Sequence, residues 1–431
     1  MKKVLLFLIF ISCFIIPSMK LSAKSLYPEK DKYVIVIDPG HGGENFGTNA
    51  NDNYLEKDIL MTTAMALVEE LEKYDAFEVY LTRTEDVDIS LRDRAVFAKS
   101  VNADFLFSLH YNASENHTLF GTEVWIPLKA PYHSMGYQFA YLQQLQMQEL
   151  GLFSRGIRTR KNDENTDYYG ILRECVARNI PAVIIEHCHI DEERDASFCD
   201  EEQDFIEFGR RDAIAIAKYF GVHEELSDIP EELYNIKKND TISWTYQDFS
   251  GPNICKIEEE YADYENGVLT VNVKAKEKQT AVMYYTYSLD GGKSFSKMIP
   301  WPGADLVKNQ GDESFSLMIS IPEGCIPKLI VRAYNKYEIY RSSNTLKGFE
   351  AFVSPTAPPA IIAPFKEFPV VYEEETKPEP VFYEILNMEP ETFKISLKRF
   401  ILLLVFIFFW TLSLFVLGRY IYRVIKERSQ K

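Results

Sequence analysis

A chain of 431 residues has room for two or three domains, and 46% hydrophobic with 26% charged residues describes packed globular structure rather than disorder. A formal net charge of −17 excludes a general affinity for nucleic acid, which needs clustered Lys and Arg against phosphate. The cysteines are sparse, one of them (Cys13) lies in the N-terminal apolar run, and none forms a Cys-x-x-Cys pair. This excludes a disulfide framework and a cysteine-based zinc knuckle, and leaves open a pairing of Cys255 with Cys325.

In chain order, Lys2 and Lys3 precede the apolar run Val4 to Ile16, which Pro17 breaks and small Ser22 and Ala23 follow. Residues 1–24 therefore read as an export signal. From residue 33 to 222 apolar runs alternate with helical patterns. Tyr33–Asp38 reads as a buried strand, and Leu60, Ala64, Leu67, Val68 and Leu71 recur at helix spacing. Glu78–Arg83 reads as a strand and Leu91, Ala95 and Ala98 mark a helix. Asp104–Leu109, Gly121–Ile126 and Ala182–Ile185 read as further strands, residues 130–151 are helix-like, and Phe205, Gly209, Ala213, Ile216 and Phe220 close with a helix. The pattern predicts an α/β domain over 33–222, with a mixed sheet flanked by helices.

Residues 241–347 change character. Val268–Val273, Met283–Leu289, Ser314–Ile321 and Lys328–Tyr334 alternate in polarity, and turn residues such as Asn266-Gly267 separate them. That predicts a small all-β, immunoglobulin-like sandwich. Within it, Ser288-x-Asp290-x-Gly292-x-x-Phe295 resembles the Asp-box hairpin of sialidases, which stabilises a turn and carries no chemistry by itself. Prolines and glutamates make 348–397 an extended spacer. Residues 400–418 hold no charge and are long enough for a transmembrane helix. The basic tail 419–431 is expected in the cytoplasm, with everything between signal and span outside a single-pass cell membrane anchor.

Three polar residues close apolar strand runs: His41 in Asp38-Pro39-Gly40-His41-Gly42-Gly43, His110 after Ser108-Leu109, and Glu186 after Pro181–Ile185. If those strands are parallel, the three meet on one rim, where ligand sites of open α/β sheets gather. Glu56, at the start of the first long helix, is a fourth. Two imidazoles and a carboxylate suit one catalytic Zn2+ with a position left for water, and Glu186 suits the general base. Singly, each has a plainer reading: a turn histidine, a hydrogen-bonded core histidine, a capping partner for Asn53, and an ion-pair partner. As a set they point to one metal centre.

At these positions the sequence resembles the zinc-dependent N-acetylmuramoyl-L-alanine amidases of the family-3 type. The resemblance spans about residues 33–220. It includes VIVIDPGHGG, Glu56, LTRTED (Leu81–Asp86), Ser90–Ala113, GTEVW (Gly121–Trp125), RGIRT (Arg155–Thr159) and PAVIIE (Pro181–Glu186). It implies zinc ligation by His41, Glu56 and His110, catalysis by Glu186, and peptidoglycan as substrate, cut between the lactyl group of N-acetylmuramic acid and L-alanine. One departure is Glu186-His187-Cys188-His189, where such enzymes usually have Glu-x-Gly-Phe; the loop is expected to differ in shape, with solvated histidines. Asn112, Arg158 and Arg173 are the expected substrate contacts, because Arg clamps stem-peptide carboxylates. Two other readings stay open: an inactive zinc-binding wall scaffold, and a zinc peptidase cutting the stem peptide. The sandwich could bind wall or a protein partner.

Overall fold

The computed structural model describes residues 25–48 and 54–353, which belong to a single unit. The expected signal, Asn53, nearly all of the spacer, the apolar run 400–418 and the tail lie outside the described residues. Among the described residues no helix is long and apolar enough to cross a membrane.

Six strands form the first sheet: β1 (Tyr33–Pro39), β2 (Phe77–Leu81), β3 (Phe105–Asn112), β4 (Thr122–Trp125), β5 (Ser154–Arg158) and β6 (Ala182–His189). Their order is β2-β1-β3-β6-β4-β5. β1, β2, β3 and β6 run parallel, while β4 is antiparallel to β6 and parallel to β5. The mixed sheet agrees with expectation. β5 is an addition, since Ser-Arg-Gly-Ile-Arg offers a single large apolar residue and no alternation to read.

The helices are α1 (Glu56–Leu71), α2 (Leu91–Ser100), α3 (Tyr132–Glu149), α4 (Gly170–Ala177), α5 (Glu193–Ala196), α6 (Glu202–Tyr219) and α7 (Glu231–Asn235). Strand alternation sends successive side chains to opposite faces. Ile35, Ile37, Phe105, Phe107, Val183 and Ile185 therefore share a core with α1, α3 and α6. Val36, Leu106, Ala182 and Ile184 share another with α2 and α4. α1 and α6 approach so closely that a Cβ on Gly209 would lie 2.2 Å from the Thr63 carbonyl oxygen, so only glycine fits there.

Beyond residue 250 two smaller sheets follow. One holds β7 (Ile254–Glu265), β8 (Val268–Lys276) and β11 (Ser314–Ser320). The other holds β9 (Tyr284–Ser288), β10 (Ile299–Pro300), β12 (Ile330–Tyr334) and β13 (Tyr340–Ser342). Leu269, Val271, Val273, Leu317 and Ile319 of the first pack with Tyr285, Val331 and Ala333 of the second around buried Trp301. The Asp-box residues staple one turn: Asp290 accepts from the Lys293 and Ser294 amides at 2.8 and 3.1 Å, and Ser288 Oγ donates to it at 2.7 Å. Cys255 and Cys325 are both free.

This β module meets the α/β layer directly. Phe120 shares a cluster with Met283, Tyr284, Leu306 and Tyr334. Tyr284 donates its hydroxyl to the Phe120 carbonyl at 2.7 Å. Tyr337, in the turn between β12 and β13, donates to the Thr159 and Thr245 carbonyls.

Candidate metal centre and adjoining cleft

The loop after β1 is held by arginines that the motifs around it contain. Arg94, on α2, pairs with Asp38 at 2.7 Å, and its guanidinium also donates to the carbonyls of Pro39 and His41 at 2.8 and 2.7 Å. Arg83 donates to the carbonyls of Pro39, Gly40 and Lys57 at 3.1, 3.0 and 2.7 Å. Burial works to raise the Asp38 carboxyl pKa, but Arg94 and the Thr82 and Ser108 hydroxyls outweigh it and hold the group below its usual range. The backbone is thereby pinned with His41 in the left-handed region, at φ 60°.

His41, two residues beyond β1, then faces Glu56 on the first turn of α1 and His110 near the end of β3. Glu56 Oε1 lies 3.2 Å from His41 Nε2 and 3.1 Å from His110 Nδ1, and the three ligand atoms lie within 4.8 Å of one another. The carboxylate is only 2% exposed and is aimed by two amides: Tyr111 donates to Oε1 at 3.0 Å and Thr48 to Oε2 at 2.7 Å. Burial opposes its charge, yet the hydrogen bonds of His110 and His41 keep it well below the ordinary carboxylate range. His41 Nδ1 donates to Asn45 Oδ1 at 2.8 Å, so a bound cation could take the Nε2 position in place of the proton that Nε2 shares with Glu56. Gly40 is the close neighbour of His110: a Cβ there would lie 2.2 Å from the ring. Two imidazoles converging on one buried anionic oxygen fit a divalent cation bound by nitrogen and oxygen donors.

Glu186 sits on β6 directly opposite His110 in the parallel register, and opposite Glu123 of β4 on its other side. Among the described residues its Oε2 is buried without a hydrogen-bond partner. Burial, and then the like charges of Glu56 and Glu123, push its pKa well above the usual value. A buried carboxyl kept basic beside a cation site is the arrangement a general base requires.

Beyond Glu186 a cleft of about 320 Å³ opens, lined by Asn112, Trp125, Arg155 and Arg158 on the sheet and by Tyr337 and Glu338 of the β module. Glu123 organises its floor. It accepts from Asn112 Nδ2 at 3.0 Å, Trp125 Nε1 at 3.2 Å and Arg155 Nε at 2.7 Å, and pairs with Arg158 at 3.1 Å. Burial opposes ionisation of Glu123, but Arg158 and Arg155 bring its pKa down to about 2.

Of the expected substrate contacts, Asn112 and Arg158 line this cleft. Arg173 does not. It is exposed on α4, where its guanidinium donates to the carbonyls of Asp167 and Tyr168 at 2.6 and 3.0 Å and so braces its own loop. The loop histidines also need correction, because neither is solvated. His187 is fully buried, with one ring nitrogen 2.9 Å from the His110 carbonyl and the other 2.7 Å from Asp212. His189 contacts the Gly121 carbonyl at 3.0 Å, and burial, with Arg155 nearby, lowers its pKa to about 3. Both are braces beneath the site. Reading from sequence missed Glu123, Arg155 and Glu338. The first two stand inside the motifs GTEVW and RGIRT, but Glu338 carries no local signal.

Residues 35–218 match the family described as N-acetylmuramoyl-L-alanine amidase. Across 171 residues the chain is 34% identical to a Staphylococcus aureus protein named "Probable cell wall amidase LytH", covering 39% of this chain and 52% of that one. The chain thus spans about half the length of that relative. Among solved structures, "Cwp6 from Clostridium difficile" is 29% identical with a TM-score of 0.41, covering 44% of this chain and 29% of that one. An N-acetylmuramoyl-L-alanine amidase from Clostridium difficile 630 is 30% identical with a TM-score of 0.39, covering 44% and 97%.

Proposed function

We propose that this chain hydrolyses the amide between the lactyl group of N-acetylmuramic acid and L-alanine in peptidoglycan. The observation that carries the proposal is the orphaned, basic Glu186 carboxyl lying one strand from a His41–Glu56–His110 cluster. His41, Glu56 and His110 would hold a divalent ion, which would supply Lewis acidity toward the scissile carbonyl and an adjacent water. Glu186 takes the proton of the attacking water and returns it to the leaving nitrogen, so hydroxyl joins the lactyl carbon and L-alanine departs as an amine. Arg83 and Arg94 hold the loop that presents His41, Asn45 sets its tautomer, and Glu123 with Arg155 and Arg158 shapes the adjoining cleft for a carboxylate-bearing stem.

Finer features belong to the same proposal. One zinc ion suits the two imidazoles and carboxylate. The signal over 1–24, the uncharged run 400–418 and the basic tail support export and a single-pass membrane tether, with the tail in the cytoplasm. The two small sheets around one core support an immunoglobulin-like accessory module.

The experiment incubates the zinc-loaded protein with purified cell walls and identifies released fragments by mass. Free stem peptides beginning with an L-alanine amine, with intact muramic acid left on the glycan, are expected. Cleavage between amino acids instead would replace the amidase with a stem peptidase, and absence of any product would leave a scaffold.

A further inference from the structure

Building on the amidase reading, we propose that Glu338 is a built-in stand-in for a carboxylate of the stem peptide: it closes an anion site made by Arg155 and Arg158, and the incoming substrate carboxylate displaces it. The site is assembled from both parts of the molecule. Glu338 Oε1 accepts from Arg155 Nη2 and, at 3.1 Å, from Arg158 Nη2, while Glu123 engages the Nε of both arginines.

Exposure separates these four charged side chains. Arg155 and Arg158 are each 2% exposed and Glu123 3%, so they are fixed in the floor, whereas Glu338 is 28% exposed at the rim of the cleft. The turn that carries Glu338 does not depend on its carboxylate. Asn335 Oδ1 accepts from the Tyr337 and Ile339 amides at 2.8 and 3.0 Å, and Tyr337 anchors the turn to the Thr159 and Thr245 carbonyls. Glu338 can therefore rotate into solvent while the hairpin stays in place.

Rotation would leave two guanidiniums facing Glu123 alone. Lys336 adds nothing to that charge: its Nζ is buried against the carbonyls of Ile157 and Trp244, and burial, then Arg158, push its pKa well below the usual value. The emptied position is an unbalanced positive site with planar, paired N–H donors, which another carboxylate fills and a neutral amide does not. The cleft adjoins Glu186 through Glu123, its register partner, so a carboxylate seated there belongs to the same bound molecule as the scissile bond.

The test uses the full chain, zinc-loaded, and isothermal titration with the tripeptide L-alanyl-γ-D-glutamyl-L-lysine, its carboxylates either free or all amidated. Glu338→Gln removes the competing charge at constant shape. Glu338→Asn does so with a residue suited to the left-handed backbone here, at φ 61°. Both variants are expected to bind the free-carboxylate peptide about tenfold more tightly than the natural protein, because the open form no longer has to be selected. Binding of the amidated peptide is expected to stay unchanged, as is the melting temperature within a few degrees. Unchanged or weaker binding of the free-carboxylate peptide overturns the inference, as does equal tightening for both peptides or no binding of either. Wall hydrolysis is read separately. A chain that releases no fragments yet shows the expected affinity pattern loses the amidase reading and keeps this anion site.

Discussion

Glu186 has one oxygen without a partner and two carboxylates nearby, so its proton is held tightly. In its proposed role of base it would work only when deprotonated, and the rate of wall hydrolysis should climb as pH rises through that elevated pKa. Glu186→Gln should lower turnover by roughly 10²–10⁴-fold while metal content, measured by atomic emission, stays at that of the natural protein. His41→Ala should lose both metal and turnover, because it deletes a ligand rather than a proton carrier. An equal loss of metal in the two variants would remove the distinction between their roles. The same raised pKa has a stability consequence. The protonated, buried carboxyl favours the folded chain below the ordinary Glu range, and that contribution is lost as pH rises through the folded value.

At the level of elements, the turn from β1 into α1 is where the site is made or lost. Its carbonyls accept from Arg83 and Arg94 instead of from a neighbouring strand, so two side chains do the work of a ladder. Arg94→Ala should strand a fully buried Asp38 carboxylate and cost on the order of 3–5 kcal/mol, read from the denaturant midpoint. Since Asp38 is held below the usual range, its contribution is complete above the ordinary Asp pKa and disappears as pH falls through the lower folded value. Gly40→Ala makes a narrower prediction. Its Cβ would fall on the His110 ring, so metal affinity should drop at least tenfold while helical content measured by circular dichroism is retained.

For the whole molecule, the β module lines the cleft beside Glu123 as well as being an appendage to the first sheet. Tyr284 links the two by donating to the Phe120 carbonyl and accepting from Arg155 at 3.2 Å. Tyr284→Phe leaves both partners short of a hydrogen bond at a buried junction and should cost about 1–3 kcal/mol, measured by chemical denaturation. A chain cut after residue 222 would expose Phe120, pair Arg155 and Arg158 with Glu123 alone, and should melt below the longer chain; an equal melting temperature would show that the modules are energetically independent.

Much of this was legible in the chain itself. The apolar strands β1, β3 and β6 and the helices α1 and α6 announce themselves because alternation and 3.6-residue periodicity are local consequences of which face is buried. His41, His110 and Glu186 stand out because polar residues at the ends of such strands need a reason. Elements whose stability comes from elsewhere stayed hidden. β5 is a strand only because it can pair with β4, and β7 is rich in charge yet pairs with β8. His187 and His189 read as solvated because burial is not written in a residue's neighbours, whereas Asp212 and the Gly121 carbonyl make their burial tolerable. The sequence by itself thus determined the strand-end chemistry and the family motifs. Only the tertiary structure decided that Glu338, 180 residues beyond Arg158, meets it across the cleft, because an ion pair between distant segments depends on chain topology and leaves no periodic trace.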